Sequence, residues 1–151
     1  MKMKKVLLIV LTILAILGGN ILNLREFIND YWPVNTSNVI VTAIYVATWI
    51  IVISISIKYR YIRIVKAYSV FWLITLIHAL LILIYKATGV NFGWAILSYI
   101  LFICPWYGLH YYIRDMLIIG ILISICSISI LVINSFFLYA NKKINKKIHN
   151  F

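Results

Sequence analysis

Acidic residues are scarce in this chain: 3 of its 151 residues are Asp or Glu, against 14 Lys and Arg. Charged residues of both signs make up only 11% of the sequence, hydrophobic residues make up 65%, and the mean hydropathy is +1.05. An ordinary soluble domain carries about 25% charged residues. The composition therefore excludes such a domain and indicates an integral membrane protein.

The residues on which most catalytic sites are built are also missing. The sequence has no HExxH, no glycine-rich phosphate loop and no Gly-x-Ser-x-Gly elbow. Its acids, Glu26, Asp30 and Asp115, are all expected near one membrane surface, which leaves none at membrane depth. We therefore predict that the protein is not an enzyme.

Cysteine and histidine are too few and too scattered for a metal centre. Cys104 and Cys126 lie in apolar surroundings without CxxC spacing, which argues against a redox pair or a zinc site. We expect both to be small packing residues. His78, His110 and His149 are far apart in sequence, so we predict no metal site and no cofactor.

What the chain does have is long apolar runs. We predict an all-α integral membrane protein with one transmembrane domain over residues 1–151, because each span needs roughly 20 apolar residues. The predicted four-helix transmembrane bundle has spans at about residues 6–22, 39–57, 67–85 and 116–140. The Ile and Ser alternation that ends the second span is typical of a strand, but a lone strand would leave its backbone unpaired in lipid. The first span resembles a secretory signal, and we expect it to stay uncleaved because no convincing cleavage site follows.

Two segments between the spans are expected to lie at a membrane surface. Apolar residues recur at three- and four-residue steps over residues 21–31, which predicts a short interfacial helix. Trp32 and Pro33 are expected to end it, because proline lacks an N–H donor. Residues 92–104 form a largely apolar run of about 20 Å if helical, which is short for a crossing. We predict a re-entrant or interfacial outer segment over residues 92–113, with a fifth span as the alternative.

The distribution of positive charge favours four crossings. With both termini inside, eleven Lys and Arg residues fall on the cytoplasmic side and three, Arg25, Lys86 and Arg114, fall outside. A fifth crossing would give eight inside and six outside. Because cytoplasmic loops carry the excess of positive charge, we predict a multi-pass plasma-membrane protein with both termini cytoplasmic. Its basic loop and tail predict contact with anionic lipids on that face, and no nucleic acid partner is expected.

His78 lies near the middle of the third span, with Thr75 on the same helical face. An ionisable side chain at that depth is a functional candidate, as a ligand contact or as part of a proton pathway. The alternative is a neutral imidazole that hydrogen-bonds a neighbouring helix. Asn134, on the last span, is a further candidate for a polar pathway.

Small and polar residues recur along one face of the last span, where Gly120, Ser124 and Ser127 stand at steps of four and three. Small residues let helices approach closely, and Ser can hydrogen-bond across the contact. We interpret this stripe as a packing surface. Ala43 and Ala47 are expected to serve the same purpose on the second span.

The stretch Cys104-Pro-Trp-Tyr-Gly-Leu-His-Tyr-Tyr-Ile-Arg-Asp115 combines helix breakers, aromatic rings and an ion pair. Pro105 and Gly108 can break a helix, and aromatic rings are enriched at the membrane interface. We expect an outer turn here that offers a recognition surface. Its candidate residues are Trp106, Tyr107, His110, Tyr111, Tyr112, Arg114 and Asp115.

These features lead to two functional hypotheses. The first is a non-enzymatic membrane protein that acts through helix and outer-surface contacts. It would be an accessory subunit of a membrane complex or a self-protection protein against a membrane-active peptide. The second is a small homo-oligomeric transporter or channel with a pathway past His78. The abundance of isoleucine is typical of an AT-rich bacterial genome.

Overall fold

The computed structural model describes residues 2–28, 34–90, 92–93 and 96–148 and is helical almost throughout. The elements are α1 (Lys2–Ile28), α2 (Thr36–Lys58), α3 (Ile62–Thr88), α4 (Ile96–Ile103), a 3₁₀ segment (Cys104–Tyr111) and α5 (Met116–Ile148). No strand occurs among the described residues. The Ile and Ser alternation at the end of α2 is therefore helical, as expected.

Four of the helices, α1, α2, α3 and α5, are long and apolar enough to cross a membrane. This confirms the all-helical fold and the four long apolar helices that the sequence predicts. α1, α2 and α3 extend beyond their predicted spans at both ends, and α5 extends beyond its span only at its end. At the start of α3, for example, Arg63 and Lys66 are already helical, because a long polar side chain favours a helix even where the apolar run has ended.

Residues 21–28 do not form a separate interfacial helix. They continue α1 without a break, so that prediction is wrong for this part of the chain. Asn20 and Asn23 are buried, and their amides donate to the Leu101 carbonyl of α4 and the Cys104 carbonyl of the 3₁₀ segment. Tyr31, Trp32 and Pro33 lie outside the described residues.

The bundle is built around antiparallel α1 and α2. The start of α1 meets the end of α2, where the Lys4 ammonium lies 4.8 Å from the Tyr59 ring. The end of α1 meets the start of α2, where Asn38 donates a hydrogen bond to Asn23. The 3₁₀ segment packs on both helices, α3 packs on α2 and α4, and α5 packs along α3. Residues 92–113 therefore hold no helix long enough to be a fifth span within their described part.

Buried residues repeat at alternating three- and four-residue steps along the helices. This spacing is that of a left-handed coiled coil, which is the usual packing of membrane helices. On α2 the buried series is Asn38, Thr42, Tyr45, Trp49, Val52 and Ser56. On α3 it includes Val65, Tyr68, Trp72, Thr75, Ala79 and Ile82.

The prediction that Ala43 and Ala47 are helix-packing residues of α2 is wrong. Ala43 and Ala47 are exposed, on the side of α2 opposite its buried series. The reason is that the large rings of Tyr45 and Trp49 fill the space between the helices, so α2 has no need of a small-residue contact. On α5, by contrast, Gly120, Ser124 and Ser127 are buried. A Cβ added at Gly120 would lie 3.0 Å from Leu83 of α3.

Edge-to-face aromatic rings fill the centre of the bundle. Trp49 meets Tyr45 at 6.3 Å and Trp72 at 5.2 Å between ring centroids, and Trp106 meets the same two rings at 5.8 and 6.1 Å. Such pairs contribute about 0.5–1.5 kcal/mol each beyond their burial. The indole N–H groups have no conventional acceptor among the described residues. The faces of the perpendicular neighbouring rings are available to them as weak acceptors.

Gly108 is required by a close approach, which a pair of substitutions tests. A Cβ at Gly108 would overlap the backbone carbonyl of Asn38, whereas a Cβ at Gly18 would have nothing within 4 Å. We expect Gly108→Ala to lower the free energy of unfolding by about 3 kcal/mol through overpacking. Gly18→Ala should stabilise α1 by about 1 kcal/mol. Denaturation in detergent measures both, and equal stability of the two variants would refute the close approach.

Candidate functional site

The most elaborate polar arrangement in the described part of the chain lies where the 3₁₀ segment enters the bundle. It consists of Asn20 and Asn23 on α1 and Asn38 and Thr42 on α2, hereafter the polar cluster. The spacing within each pair, three residues on α1 and four on α2, places both members on one helical face. All four are buried. Asn20, Asn23 and Thr42 bond residues 101–108, and Asn38 bonds Asn23.

Asn20 and Asn23 supply donors that the backbone of the segment lacks. In an α-helix the carbonyl of Leu101 would accept from the N–H of residue 105, but that residue is proline and has no N–H. The Asn20 Nδ2 donates to the Leu101 carbonyl instead, at 3.1 Å. The Asn23 Nδ2 donates to the Cys104 carbonyl at 3.2 Å and also lies 3.4 Å from the Pro105 carbonyl.

α2 completes the arrangement from the other side. The Thr42 hydroxyl donates to the Pro105 carbonyl at 2.8 Å and accepts from the Gly108 N–H at 3.0 Å. The Asn38 Nδ2 donates to Asn23 Oδ1 at 3.0 Å, which fixes the orientation of the Asn23 amide. Since a buried polar group without a partner costs about 1–3 kcal/mol, these bonds hold the turn at one position between α1 and α2.

Cys104 lies inside this turn and is buried, as expected of a packing residue. Its Sγ is 3.6 Å from the Asn20 carbonyl oxygen. Burial, and to a lesser extent the negative charge of Glu26, raises the pKa of the Cys104 thiol to about 12. The thiol is therefore protonated and unreactive at neutral pH. Cys126 differs from the expectation, because it is exposed on α5.

The His78 side chain, on α3, contacts α4. Its Nδ1 is 2.8 Å from the Ile74 carbonyl, its Nε2 is 2.8 Å from the Ser98 hydroxyl, and its ring stacks on Phe102 at 5.1 Å. A carbonyl can only accept, so Nδ1 carries a proton, and a neutral ring then accepts from Ser98 at Nε2. Both ring nitrogens are thus engaged. Thr75 bonds only its own helix, at the Phe71 carbonyl, and makes no hydrogen bond with His78.

Asn134 and Ser127 lie on the buried face of α5, seven residues apart, and both are fully buried. Neither the Asn134 amide nor the Ser127 hydroxyl finds a hydrogen-bond partner among the described residues. Buried polar groups in proteins are bonded in the great majority of cases. Asn134 is not joined to His78, whose ring faces α4, so the three pathway candidates do not form one site.

The aromatic outer stretch divides into a buried part and an exposed part. Trp106 and Tyr107 are only 4% and 8% exposed, so the prediction that they lie on an outer surface is wrong. The polar cluster draws the start of the 3₁₀ segment inward, and their rings pack on Tyr45, Trp72 and Phe27.

The exposed part is the outer turn, defined here as residues 111–115. Tyr111 is 50% and Tyr112 73% exposed, and Arg114 and Asp115 are also exposed. Asp115 Oδ1 accepts from the Leu117 N–H at 2.9 Å and so caps α5. His110, just before the turn, is half-buried, with Nε2 3.1 Å from the Met116 sulfur.

Sequence reasoning missed the polar cluster. The sequence did contain a signal. A proline in a buried segment leaves a backbone carbonyl in need of a donor from elsewhere in the chain. Polar residues that could supply such a donor occur in or beside the apolar runs, namely Asn20, Asn23, Asn38 and Thr42. Among the described residues, no group of three or more His, Cys, Asp or Glu could hold a metal ion. No protein-family model, curated protein or solved structure matches the chain.

Two threonines of α2 give a matched test of the polar cluster. Thr42 bonds the 3₁₀ segment, whereas Thr48 is on the outer side of α2 and bonds only the Ile44 carbonyl of its own helix. Thr42→Val should cost about 1–2 kcal/mol and loosen the turn, while Thr48→Val should be nearly neutral.

The readout is alkylation of Cys104 by N-ethylmaleimide in a Cys126→Ser background. Because burial raises the pKa of the Cys104 thiol, few of the folded Cys104 thiols are ionised at pH 8. Labelling should therefore be slow at pH 8 in the unsubstituted chain and in Thr48→Val, and should rise steadily with pH as more of the thiol ionises. Thr42→Val should label roughly tenfold faster through local opening. Equal protection of Cys104 in both variants would show that Thr42 does not hold the segment.

Proposed function

We propose that the chain is a multi-pass protein of the plasma membrane that acts through contacts with other membrane components and not through catalysis. It is either an accessory subunit of a membrane complex or a self-protection protein against a membrane-active peptide. The observation that carries the proposal is an exposed aromatic turn, the outer turn, which follows the buried 3₁₀ segment and ends at the Asp115 cap of α5.

The proposed orientation places both termini in the cytoplasm. Lys4 and Lys5 at the start of α1 lie beside Tyr59 and Tyr61 in the turn between α2 and α3, so two of the basic segments are at one end of the bundle. α5 runs back along α3, which brings its basic tail towards the same end. Positive charge collects on the cytoplasmic side of membrane proteins, which supports this orientation.

The outer turn has the properties that a recognition surface needs. Tyr111 and Tyr112 meet edge to face at 5.0 Å, next to the charges of Arg114 and Asp115. Tyrosine and arginine are enriched among residues that dominate binding energies. The 3₁₀ segment before the turn is held by the polar cluster, and the Asp115 cap holds the helix after it. A partner would therefore meet a preorganised surface and lose less entropy on binding.

The alternative, a homo-oligomeric transporter with a pathway past His78, has less support. Both nitrogens of that imidazole are engaged and one ring face is covered by Phe102, which leaves little for a moving solute. What favours a polar pathway is the pair Ser127 and Asn134, buried without a hydrogen-bond partner among the described residues. Such a pathway would follow α5 and not His78.

The contact hypothesis is tested in bacterial cells by replacing the exposed aromatic side chains of the outer turn with alanine. Cells that produce the protein should survive a membrane-active peptide, or a membrane protein should crosslink to a photoreactive residue at position 112. Tyr111→Ala combined with Tyr112→Ala should reduce either effect by about tenfold or more, as expected for loss of two binding aromatics. Phe136→Ala combined with Tyr139→Ala, two exposed rings of α5, is the matched control and should change neither.

Three outcomes would contradict this proposal. The first is unchanged peptide sensitivity together with a protein that neither crosslinks to a partner nor self-associates. The second is equal loss in the two double variants, which would assign the effect to lipid-facing rings in general. The third is pH-dependent flux in proteoliposomes that is lost in His78→Leu, which would support the transporter.

A further inference from the structure

The turn between α2 and α3 gathers lysine side chains around two stacked tyrosines. The Lys4 and Lys58 ammonium groups lie 4.8 and 6.0 Å from the centre of the Tyr59 ring. The Lys5 ammonium lies 5.1 Å from the centre of the Tyr61 ring. The two rings stack on each other with centroids 5.9 Å apart and an interplanar angle of 22°. This group is hereafter the lysine and tyrosine cluster.

Among the described residues, the carboxylates that could neutralise the cluster are far away. Glu26 is near the other end of α1, about 33 Å from Lys4 along the helix. Asp115 begins α5, at the end of the bundle that holds the outer turn. Asp30 follows α1 and lies outside the described residues. Arg60 and Arg63 add further positive charge to the same turn. Like charges this close repel each other, so the cluster favours an anion from outside the chain.

The backbone of the turn is held in an unusual conformation. Arg60 has a positive φ of 54°, in the left-handed region that costs a non-glycine residue roughly 1–2 kcal/mol. This reversal lets Tyr59 and Tyr61 stand side by side. It is fixed by backbone hydrogen bonds from Tyr59 to Ile55 and from Tyr61 to Ser56, at 3.0 and 2.9 Å. Strained residues of this kind cluster at binding sites.

The surroundings favour a lipid. Tyr61 is buried, whereas the Tyr59 side chain is partly exposed at the edge of the bundle. Immediately after the lysines, α1 exposes Val6 and Leu7, an apolar surface against which acyl chains can lie. A lysine ammonium is a compact charge suited to phosphate, and a tyrosine hydroxyl can add a hydrogen bond.

We propose that the lysine and tyrosine cluster binds the phosphate head group of an anionic phospholipid of the cytoplasmic leaflet. The inference depends on the membrane orientation proposed above and goes beyond it. A general attraction between basic loops and an anionic surface needs no particular geometry, whereas this site assigns the contact to three lysines and two rings. Bound there, the lipid would tie the start of α1 to the turn between α2 and α3.

The test uses the full chain, purified in neutral detergent, with native mass spectrometry as the readout of bound lipid. Phosphatidylglycerol should bind in preference to phosphatidylcholine. Substituting Lys4, Lys5 and Lys58 with Gln should weaken phosphatidylglycerol binding by roughly a hundredfold, given about fivefold per lysine near a membrane surface. The matched control substitutes Lys86, Lys142 and Lys143 with Gln, the same change in net charge, and should leave binding unchanged within about twofold.

Tyr59→Leu is a second variant that leaves the charge unchanged and keeps an apolar side chain at a partly exposed position. It should weaken phosphatidylglycerol binding by about threefold to tenfold through loss of the ring and the hydroxyl. This variant also keeps the proposal testable where the triple variant fails to fold, which thermal unfolding in neutral detergent would reveal.

Several results would overturn the proposed lipid site. Equal loss in the two triple variants would mean diffuse attraction. Displacement of the lipid by inorganic phosphate at an equal concentration would mean a free-phosphate site, and tighter binding of an oligonucleotide than of the lipid would mean a nucleic acid surface. The outer turn plays no part in this measurement, so its failure is distinguishable from failure of the contact hypothesis.

Discussion

Pro105 has no amide hydrogen, and the arrangement of the first two helices depends on that absence. A proline at this point leaves the Leu101 carbonyl without a donor from its own helix, and a bundle interior offers no water to replace it. Asn20 supplies the donor, Asn23 and Thr42 bond the next carbonyls and the Gly108 N–H, and Asn38 orients the Asn23 amide. The 3₁₀ segment is therefore wedged between α1 and α2 as part of the core. Gly19 and Gly108 allow it, since a Cβ on either would collide with Pro105 or with the backbone of Asn38.

The same constraint links the interior to the proposed functions. The start of the 3₁₀ segment is buried in the bundle. The chain returns to the surface of the bundle a few residues later, as the outer turn. The surface we propose for recognition is thus the continuation of the best-bonded part of the bundle. At the opposite end, the lysine and tyrosine cluster joins the start of α1 to the turn after α2. Contacts of different chemistry hold α1 at its two ends, and α5 packs mainly along α3.

Hydropathy predicted the number, order and approximate bounds of the long helices, because burial of apolar side chains in a membrane is a strong local signal. It failed where a polar residue has a partner distant in sequence. Residues 21–31 were expected to form a separate interfacial helix, yet Asn20 and Asn23 are bonded to residues more than eighty positions away and α1 continues to Ile28. Trp106 was misplaced for the same reason, since its position follows from the turn at Pro105. Ala43 and Ala47 show the converse, because small size predicts a close contact only where no larger side chain fills the interface.

The central claim is that the segment containing Pro105 turns back inside the bundle and does not cross. Labelling with a membrane-impermeant maleimide in intact cells tests it most directly, with single cysteines at the exposed positions 88, 112 and 143 in a background lacking Cys104 and Cys126. The account predicts labelling at 88 and 112 from outside, and at 143 only after the membrane is permeabilised. Labelling at both 88 and 143 in intact cells would mean that residues 92–113 cross the membrane, and would contradict it.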